Sequence, residues 1–399
     1  MTQRRDRWVW ILLAALIALP TGCSDDTEIH ADQQVAADSG PADGPAAEAS
    51  ADSAPDAASP DGGGVNRFAE AKEKKLQQAL DDGVKAQGPP GGTMAARAGK
   101  KLWVGAKGLS NLAKKTAMKP GDRMRIASIT KTFVATLILL LDQEGLLSVE
   151  DKLSKWVPSF PKGDGIRLYH LLNHTSGVYN FTNSAKLNKK AKATAEEMVK
   201  LATDEGPLFA PGAQWSYSNT NYVLLGMVAA KAAKSPWHVA LRKRVLNKHG
   251  LKDTFAEGFE AVTGGMARGH GLAGGATLKD VTDDIHATVP GAAGCMVSTV
   301  ADLTLFFNLL NEGSIISKAS LKKMRETYKV SVNAGNSYGL GILISGSGGQ
   351  TFYCHDGGID GFSSIACYWT GANASVAILF NASEARAADK ISEAFKALL

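Results

Sequence analysis

A chain of 399 residues, 44% hydrophobic and 21% charged, can bury a sizeable core and suits one large domain or two intertwined ones plus a tail. Its 44 Lys and Arg against 39 Asp and Glu leave a net charge of +5, modest for this length, so nothing points to nucleic acid as a partner. Lysine clusters such as 186–192 read as solvated helix faces and not as a polyanion site.

The first residues read as an export signal. Arg4, Arg5 and Arg7 precede an apolar run, 8–19, too short to span a bilayer and right for a signal core. Leu19-Pro20-Thr21-Gly22-Cys23 resembles a bacterial lipobox, with 1–22 as the signal and Cys23 as the lipidated residue. Pro20 departs from the leucine the pattern prefers, and ordinary secretion with Cys23 left as an odd thiol is the alternative. Residues 24–66 hold no lysine, arginine or aromatic residue, and such a segment buries too little apolar surface to offset its ordering entropy. The expectation is a disordered acidic tether over 23–66 holding a domain, 67–399, at a membrane in the periplasm or at the cell surface; a processed propeptide would share that composition.

Phe68, Lys72, Leu76, Ala79 and Leu80 share a helix face and predict an amphipathic helix over 66–82. Residues 93–98 and 101–106 read as a hairpin around Gly99-Lys100. The run 132–141 is nearly all apolar and ends at Asp142-Gln143-Glu144-Gly145, with Gly145 as the helix stop. From Ser128 to about Tyr328 the chain is mainly helical with long loops, whereas 350–355, 362–369 and 375–381 are strand-like and 382–399 is a closing helix. Strands at both ends and helices between predict an α+β fold: one antiparallel sheet built from both chain ends, flanked by helices, with a mainly helical insertion. A cleft is expected where the sheet meets the helical part.

Three cysteines remain, Cys295, Cys354 and Cys367. Cys354 and Cys367 lie on strands joined around Asp360-Gly361 and are the preferred disulfide pair, three free thiols being the alternative. No Cys/His spacing suggests a metal: His170 and His174 stand four apart without the glutamate of a metalloprotease motif, and a structural role is expected of them. The glycines over 346–349 read as a turn with no phosphate role.

The stretch 125–133 carries the chemistry. Ser128 and Lys131, at i and i+3 of a helix start, would point into one cleft. First-turn N–H groups and the helix dipole favour negative charge beside the serine, as a base-activated nucleophile requires. The pattern is short and recurs at Ser320/Lys323, where charged neighbours indicate a solvated helix face. Tyr217 stands two residues before Asn219, after the Pro211-Gly212 turn and before an apolar helix, so a loop presents a phenol and an amide. At His355-Asp356-Gly357-Gly358 a strand gives way to glycines that let a substrate approach the backbone. No Gly-x-Ser-x-Gly occurs, which argues against an α/β-hydrolase, and Ser176 in Thr-Ser-Gly reads as helix-end chemistry.

In this order Ser128/Lys131, Tyr217/Asn219 and His355/Gly357 resemble the serine β-lactamase and penicillin-binding protein superfamily. Within it they are similar to the class C β-lactamase-like group, which includes D-alanyl-D-alanine carboxypeptidases, D-aminopeptidases and esterases. The segment 170–177, Gly226 and 291–302 also look like that family, and the resemblance covers roughly 67–399. It implies Ser128 as the nucleophile of an acyl-enzyme, with Lys131 and Tyr217 sharing the proton and the choice of base left open. It further implies Asn219 bonded to Lys131 or to a substrate amide, His355 as a catalytic member, and an oxyanion site at the N–H groups of Ser128 and Gly358 beside Gly357; no cofactor is implied. Charge is expected to lower the phenol's pKa and desolvation the amine's. Contact of His355 with Tyr217 and Lys131 would add a pH limb at about 6–7.

Relatives that turn over β-lactams usually carry lysine and threonine where this chain has His355 and Asp356. Asp356 would repel a substrate carboxylate if it faces the cleft, and would not if it points away. The expected function is an exported serine hydrolase cleaving an amide or ester of a small molecule or peptide, with cell-wall peptide or β-lactam as the substrates the resemblance implies. Two alternatives stand beside it: an esterase or D-aminopeptidase on the same site, and a non-catalytic wall-binding or acyl-trapping protein.

Overall fold

The computed structural model describes residues 66–272, 277–333, 335–346 and 350–399; the export signal, Cys23 and all of the tether but Asn66 lie outside the described residues. Nine strands form one sheet, in the order Thr116–Ala117, Lys101–Asn111, Gly91–Ala98, Ala374–Phe380, Phe362–Trp369, Phe352–Ile359, Leu343–Ser345, Asn336–Tyr338, Val330–Asn333. The two ends of the domain meet at its centre, where Gly92 pairs with Phe380 and Ala98 with Ala374, antiparallel like the hairpin closed by Gly99 at φ +55°. That hairpin is longer than its sequence signal, because both strands extend past the alternating run.

Period-two alternation divides the core. Met94 and Ala96 face one side with Leu76, Leu80, Trp369 and Phe395, under the helices Glu70–Gln87 and Ile391–Leu398. Ala95 faces the other side and the larger core, which holds the helices Thr130–Gln143, Asn219–Ala233 and Val300–Glu312. The opening helix runs past residue 82 until Gly88, at φ +69°, returns its N–H to Val84 O. The closing helix is shorter than expected because the chain after the strand Ala374–Phe380 is first held by the neighbouring loops and then forms the 3₁₀ turn Ala387–Lys390. Asn381 accepts Gly91 N–H at 2.8 Å and donates to Leu109 O and Arg268 O at 3.0 Å, and Ser383 Oγ accepts Gly361 N–H.

Helix Thr130–Gln143 is buried from Thr130 to Leu141, and the chain turns at Gly145, φ +71°. Phe133 stacks on Phe306 with ring centroids 3.7 Å apart, directly behind the turn that bears Ser128. Phe133→Ala is expected to lose about 3–5 kcal/mol of stability, read as a lower urea midpoint at unchanged slope.

Two expectations are corrected. Ser320 is buried and donates to Gln143 Oε1 at 3.3 Å, while Lys323 donates to Asp142 at 2.5 Å, so the second Ser/Lys pattern anchors one helix to another and is not a solvated face. The third motif lies inside the strand Phe352–Ile359 and not beyond its end. Its Cys354 stands opposite Cys367, and the two are bonded; Cys295 is free and buried.

Candidate active site

Ser128 occupies a 3₁₀ turn, Ala127–Ile129, just ahead of the helix and not within its first turn. Ala127 takes a left-handed φ of +45°, which costs a residue with a Cβ about 1–2 kcal/mol. Neighbours remote in sequence hold that conformation. Ile126 N–H donates to Met296 O at 2.9 Å, and Ser364 Oγ donates to Ile126 O at 2.9 Å. The strand carrying Gly357 presses so close that a Cβ there would stand 2.4 Å from Ile126 O. Glycine at 357 is therefore required by close packing of backbone on backbone.

Lys131 is fully buried. Its Nζ lies 2.7 Å from Asn219 Oδ1, 2.7 Å from Ala293 O and 3.0 Å from Ser128 Oγ. Burial pushes the amine well below its ordinary pKa, against a smaller opposing pull from Asp356. A neutral amine has two hydrogens and one lone pair. Nζ is placed to donate to both carbonyl oxygens and to Ser128 Oγ; in the neutral form, with its two hydrogens on the carbonyls, the lone pair would face the serine hydroxyl. Ala293 escaped the sequence reading, although Gly226 signalled it: a Cβ at 226 would stand 2.7 Å from Ala292 Cβ, so glycine lets the turn Gly291–Ala293 reach Lys131.

Tyr217 donates its phenol O–H to Ser128 Oγ at 2.9 Å. Its pKa is raised by burial, with a further push from Asp356, and the hydrogen bond to Ser128 only partly opposes this. The expected lowering by charge is overturned, because desolvation of a phenolate outweighs it. The loop holding Tyr217 is clamped by His174. His174 O accepts Ser216 N–H at 2.9 Å, and its Nδ1 accepts Ser218 N–H at 3.2 Å and faces Asn221 Nδ2 at 3.2 Å. The imidazole packs 4.3 Å from the Tyr217 ring, and His174 itself is left-handed at φ +62°. Burial, then the Lys131 charge, hold this imidazole neutral. His170 acts elsewhere, as a helix cap accepting Arg167 N–H at 3.1 Å.

His355 sits differently from its sequence-based assignment. Its Nε2 pairs with Tyr338 OH at 2.8 Å and its Nδ1 with Asp356 O at 2.7 Å, and it does not line the cleft. Burial, reinforced by the Lys131 charge, pushes it down to about 3, so the limb expected from it at pH 6–7 is corrected: His355 is neutral there. Asp356 does line the cleft, and burial pushes its carboxyl up to about 6.

The cleft has a volume of about 750 Å³. Ser128, Tyr217, Asn219, Gly357 and Gly358 line its floor, Phe181, Leu187, Trp215, Ile285 and Val289 its apolar walls. A Cβ at Gly358 would meet nothing within 4 Å, so the strand is open to a ligand at that point. The lysine cluster 186–192 is a loop and not a helix face; Lys189 lines the cleft and pairs with Asp360 at 3.0 Å.

Residues 76–398 match the family model described as beta-lactamase. Among curated proteins, the chain is 26% identical over 313 residues to penicillin-binding protein 4* of Bacillus subtilis, covering 74% of this chain and 68% of that one. A beta-lactamase of Pseudomonas fluorescens is 31% identical over 42% of this chain and 46% of its own length. Among solved structures, the D-amino acid amidase of Ochrobactrum anthropi SV3 aligns at TM-score 0.76 and 28% identity, over 82% of this chain and 98% of that one. A D-stereospecific amidohydrolase from Streptomyces sp. aligns at TM-score 0.73 and 33% identity, over 81% and 98% respectively. With its sheet, its motif order and this match over most of its length, the chain belongs to the beta-lactamase family, within the serine β-lactamase and penicillin-binding protein superfamily.

Proposed function

We propose that this protein is a serine hydrolase that cleaves an amide through an acyl-enzyme on Ser128. One observation carries the reading: Ser128 Oγ stands between Lys131 Nζ at 3.0 Å and Tyr217 OH at 2.9 Å, at the floor of an open cleft. The neutral Lys131 amine takes the hydroxyl proton as Oγ attacks the carbonyl carbon. The oxyanion is held by the N–H groups of Ser128 and Gly358. Tyr217, a neutral phenol, passes the proton on to the departing amine, and its own hydrogen is replaced from the Lys131 ammonium. Water then enters by the reverse relay, releases the acid and restores Ser128. Similarity to an amidase and an amidohydrolase favours an amide over an ester. The sequence over 1–23 supports export and lipidation at Cys23, which the mass of the mature N-terminus tests.

Incubation with a fluorophosphonate followed by intact-mass measurement tests the site. One adduct per wild-type chain and none on Ser128→Ala is the expected result; equal labelling of both sinks the assignment. An acyl adduct from an amide substrate that never returns to the unmodified mass would favour the acyl-trapping alternative.

The acylation rate should rise with pH in a single limb as Lys131 loses its proton, and level off well below the pH at which a free lysine titrates. His355→Asn is expected to leave the midpoint of that limb in place, because the imidazole carries no proton to lose above about pH 4. A midpoint that moves by about one unit or more would restore His355 to the proton network.

A further inference from the structure

Resting on the Ser128 reading, the charge distribution around the cleft identifies a substrate class. We propose that the Asp356 carboxylate anchors a positively charged group on the acyl side of the substrate, an α-ammonium in the simplest case. The cleft then takes amine-bearing amides, such as an amino acid amide or the free N-terminus of a peptide, over substrates with a carboxylate beside the scissile bond.

The cationic side chains that line the cleft are already engaged: Lys189 with Asp360 at 3.0 Å, and Arg386 with Asp389 at 3.3 Å. Lys131 lies beneath the floor with its charge suppressed by burial. The carboxylates of Asp356 and Glu384, by contrast, line the cleft with no lysine or arginine within 4.0 Å among the described residues. The nearest ring nitrogen to Asp356, His355 Nδ1, is 4.0 Å from its Oδ1 and belongs to a neutral imidazole that donates instead to Asp356 O. Glu384 is more exposed and accepts Leu272 N–H at 3.0 Å.

Asp356 thus keeps a carboxylate in a confined place with no lysine or arginine ion pair among the described residues, its charged neighbour being the buried Lys131. Its side chain retains 29% exposure, so a ligand can reach it. It precedes Gly357 and Gly358 on the same strand, two residues spanning about 7 Å, beside the position where the scissile carbonyl would sit. An ammonium on the carbon next to that carbonyl falls within reach, and a charge-assisted hydrogen bond there supplies a direct ion-pair partner. A carboxylate in the same position would face the Asp356 carboxylate, and among the described residues the cleft lining offers no lysine or arginine outside an ion pair. The apolar walls, Phe181, Trp215 and Ile285 among them, suit an aromatic or aliphatic side chain on the same acyl unit.

Protection of Ser128 from the fluorophosphonate tests this without requiring turnover. The probes are D-phenylalanine amide, its N-acetyl form and its N-succinyl form, which share a skeleton and carry charges of about +1, 0 and −1 at neutral pH. In wild type the cationic amide should protect about tenfold better than the acetylated one, and the succinylated one least. Asp356→Asn should bring the cationic and neutral probes to within about threefold of each other, and Asp356→Glu should restore part of the gap. Circular dichroism of each variant identifies a failure to fold, and the wild-type ranking alone then decides. Equal protection by all three probes on wild type, or an unchanged gap in a folded Asp356→Asn, overturns the proposal while leaving Ser128 as the nucleophile. A wild type that is not labelled at all overturns the Ser128 reading and this one with it.

Discussion

Lys131→Arg should lose acylation as completely as Lys131→Ala, by about 10³-fold in the rate of Ser128 labelling. The reason lies in how the amine is held. Asn219 Oδ1 and Ala293 O, both at 2.7 Å, take two hydrogens, and full burial weakens the hold on the third proton. Once that proton leaves, the lone pair would face Ser128 Oγ, 3.0 Å away. A guanidinium preserves charge and hydrogen-bond donors but never gives up its proton. If Lys131 served mainly as a positive charge near the oxyanion, arginine would keep a sizeable fraction of the rate. An intact-mass time course at several probe concentrations separates the two, and an arginine variant within about tenfold of wild type would move the base to Tyr217.

His174→Ala should lower the limiting rate of labelling about 10²-fold, with the half-saturating probe concentration nearly unchanged. The side chain does not line the cleft, so ground-state binding has little to lose. The ring holds Ser218 N–H through Nδ1 and packs on the phenol, while the backbone carbonyl, which alanine retains, holds Ser216 N–H. Loss of the ring frees the loop to carry Tyr217 OH away from its 2.9 Å contact with Ser128. His174→Asn should recover part of the rate, because asparagine tolerates the left-handed backbone and offers an oxygen to Ser218 N–H. A variant with lowered melting temperature but an intact limiting rate would reduce His174 to a packing residue.

Much of this site is legible in the sequence because its strongest elements are local. Ser128 and Lys131 are three residues apart, Tyr217 and Asn219 two, and each pair adjoins an apolar helix whose burial the pattern announces. The strands at the two ends were likewise visible as apolar runs. What stayed hidden depends on contacts between remote segments. Ala293 contributes a backbone carbonyl, which no side-chain motif reports. His174 lies in 170–177, yet its grip on 216–218 spans some forty residues. The strand through Gly357 could not reveal which of His355 and Asp356 faces the cleft; the structure turns the histidine inward to Tyr338 and the aspartate to the opening. The direction of the phenol's pKa shift also depends on burial, which sequence does not measure.

The pairing of Gly91–Ala98 with Ala374–Phe380 sets the order in which the molecule can be assembled. The strand Gly91–Ala98 has its hairpin partner close by in sequence, but its other edge pairs with residues almost three hundred positions later. Closing so long a loop is entropically slow, and until it closes the edge of Gly91–Ala98 has no neighbour. Ser128, Lys131, Tyr217 and Asn219 all lie inside that long loop, and the strand Phe352–Ile359 that presses on the Ser128 turn lies at its far end. Ala127 has no reason to hold its left-handed conformation before that strand arrives. The geometry around Ser128 is therefore complete only when the last strands have joined the first.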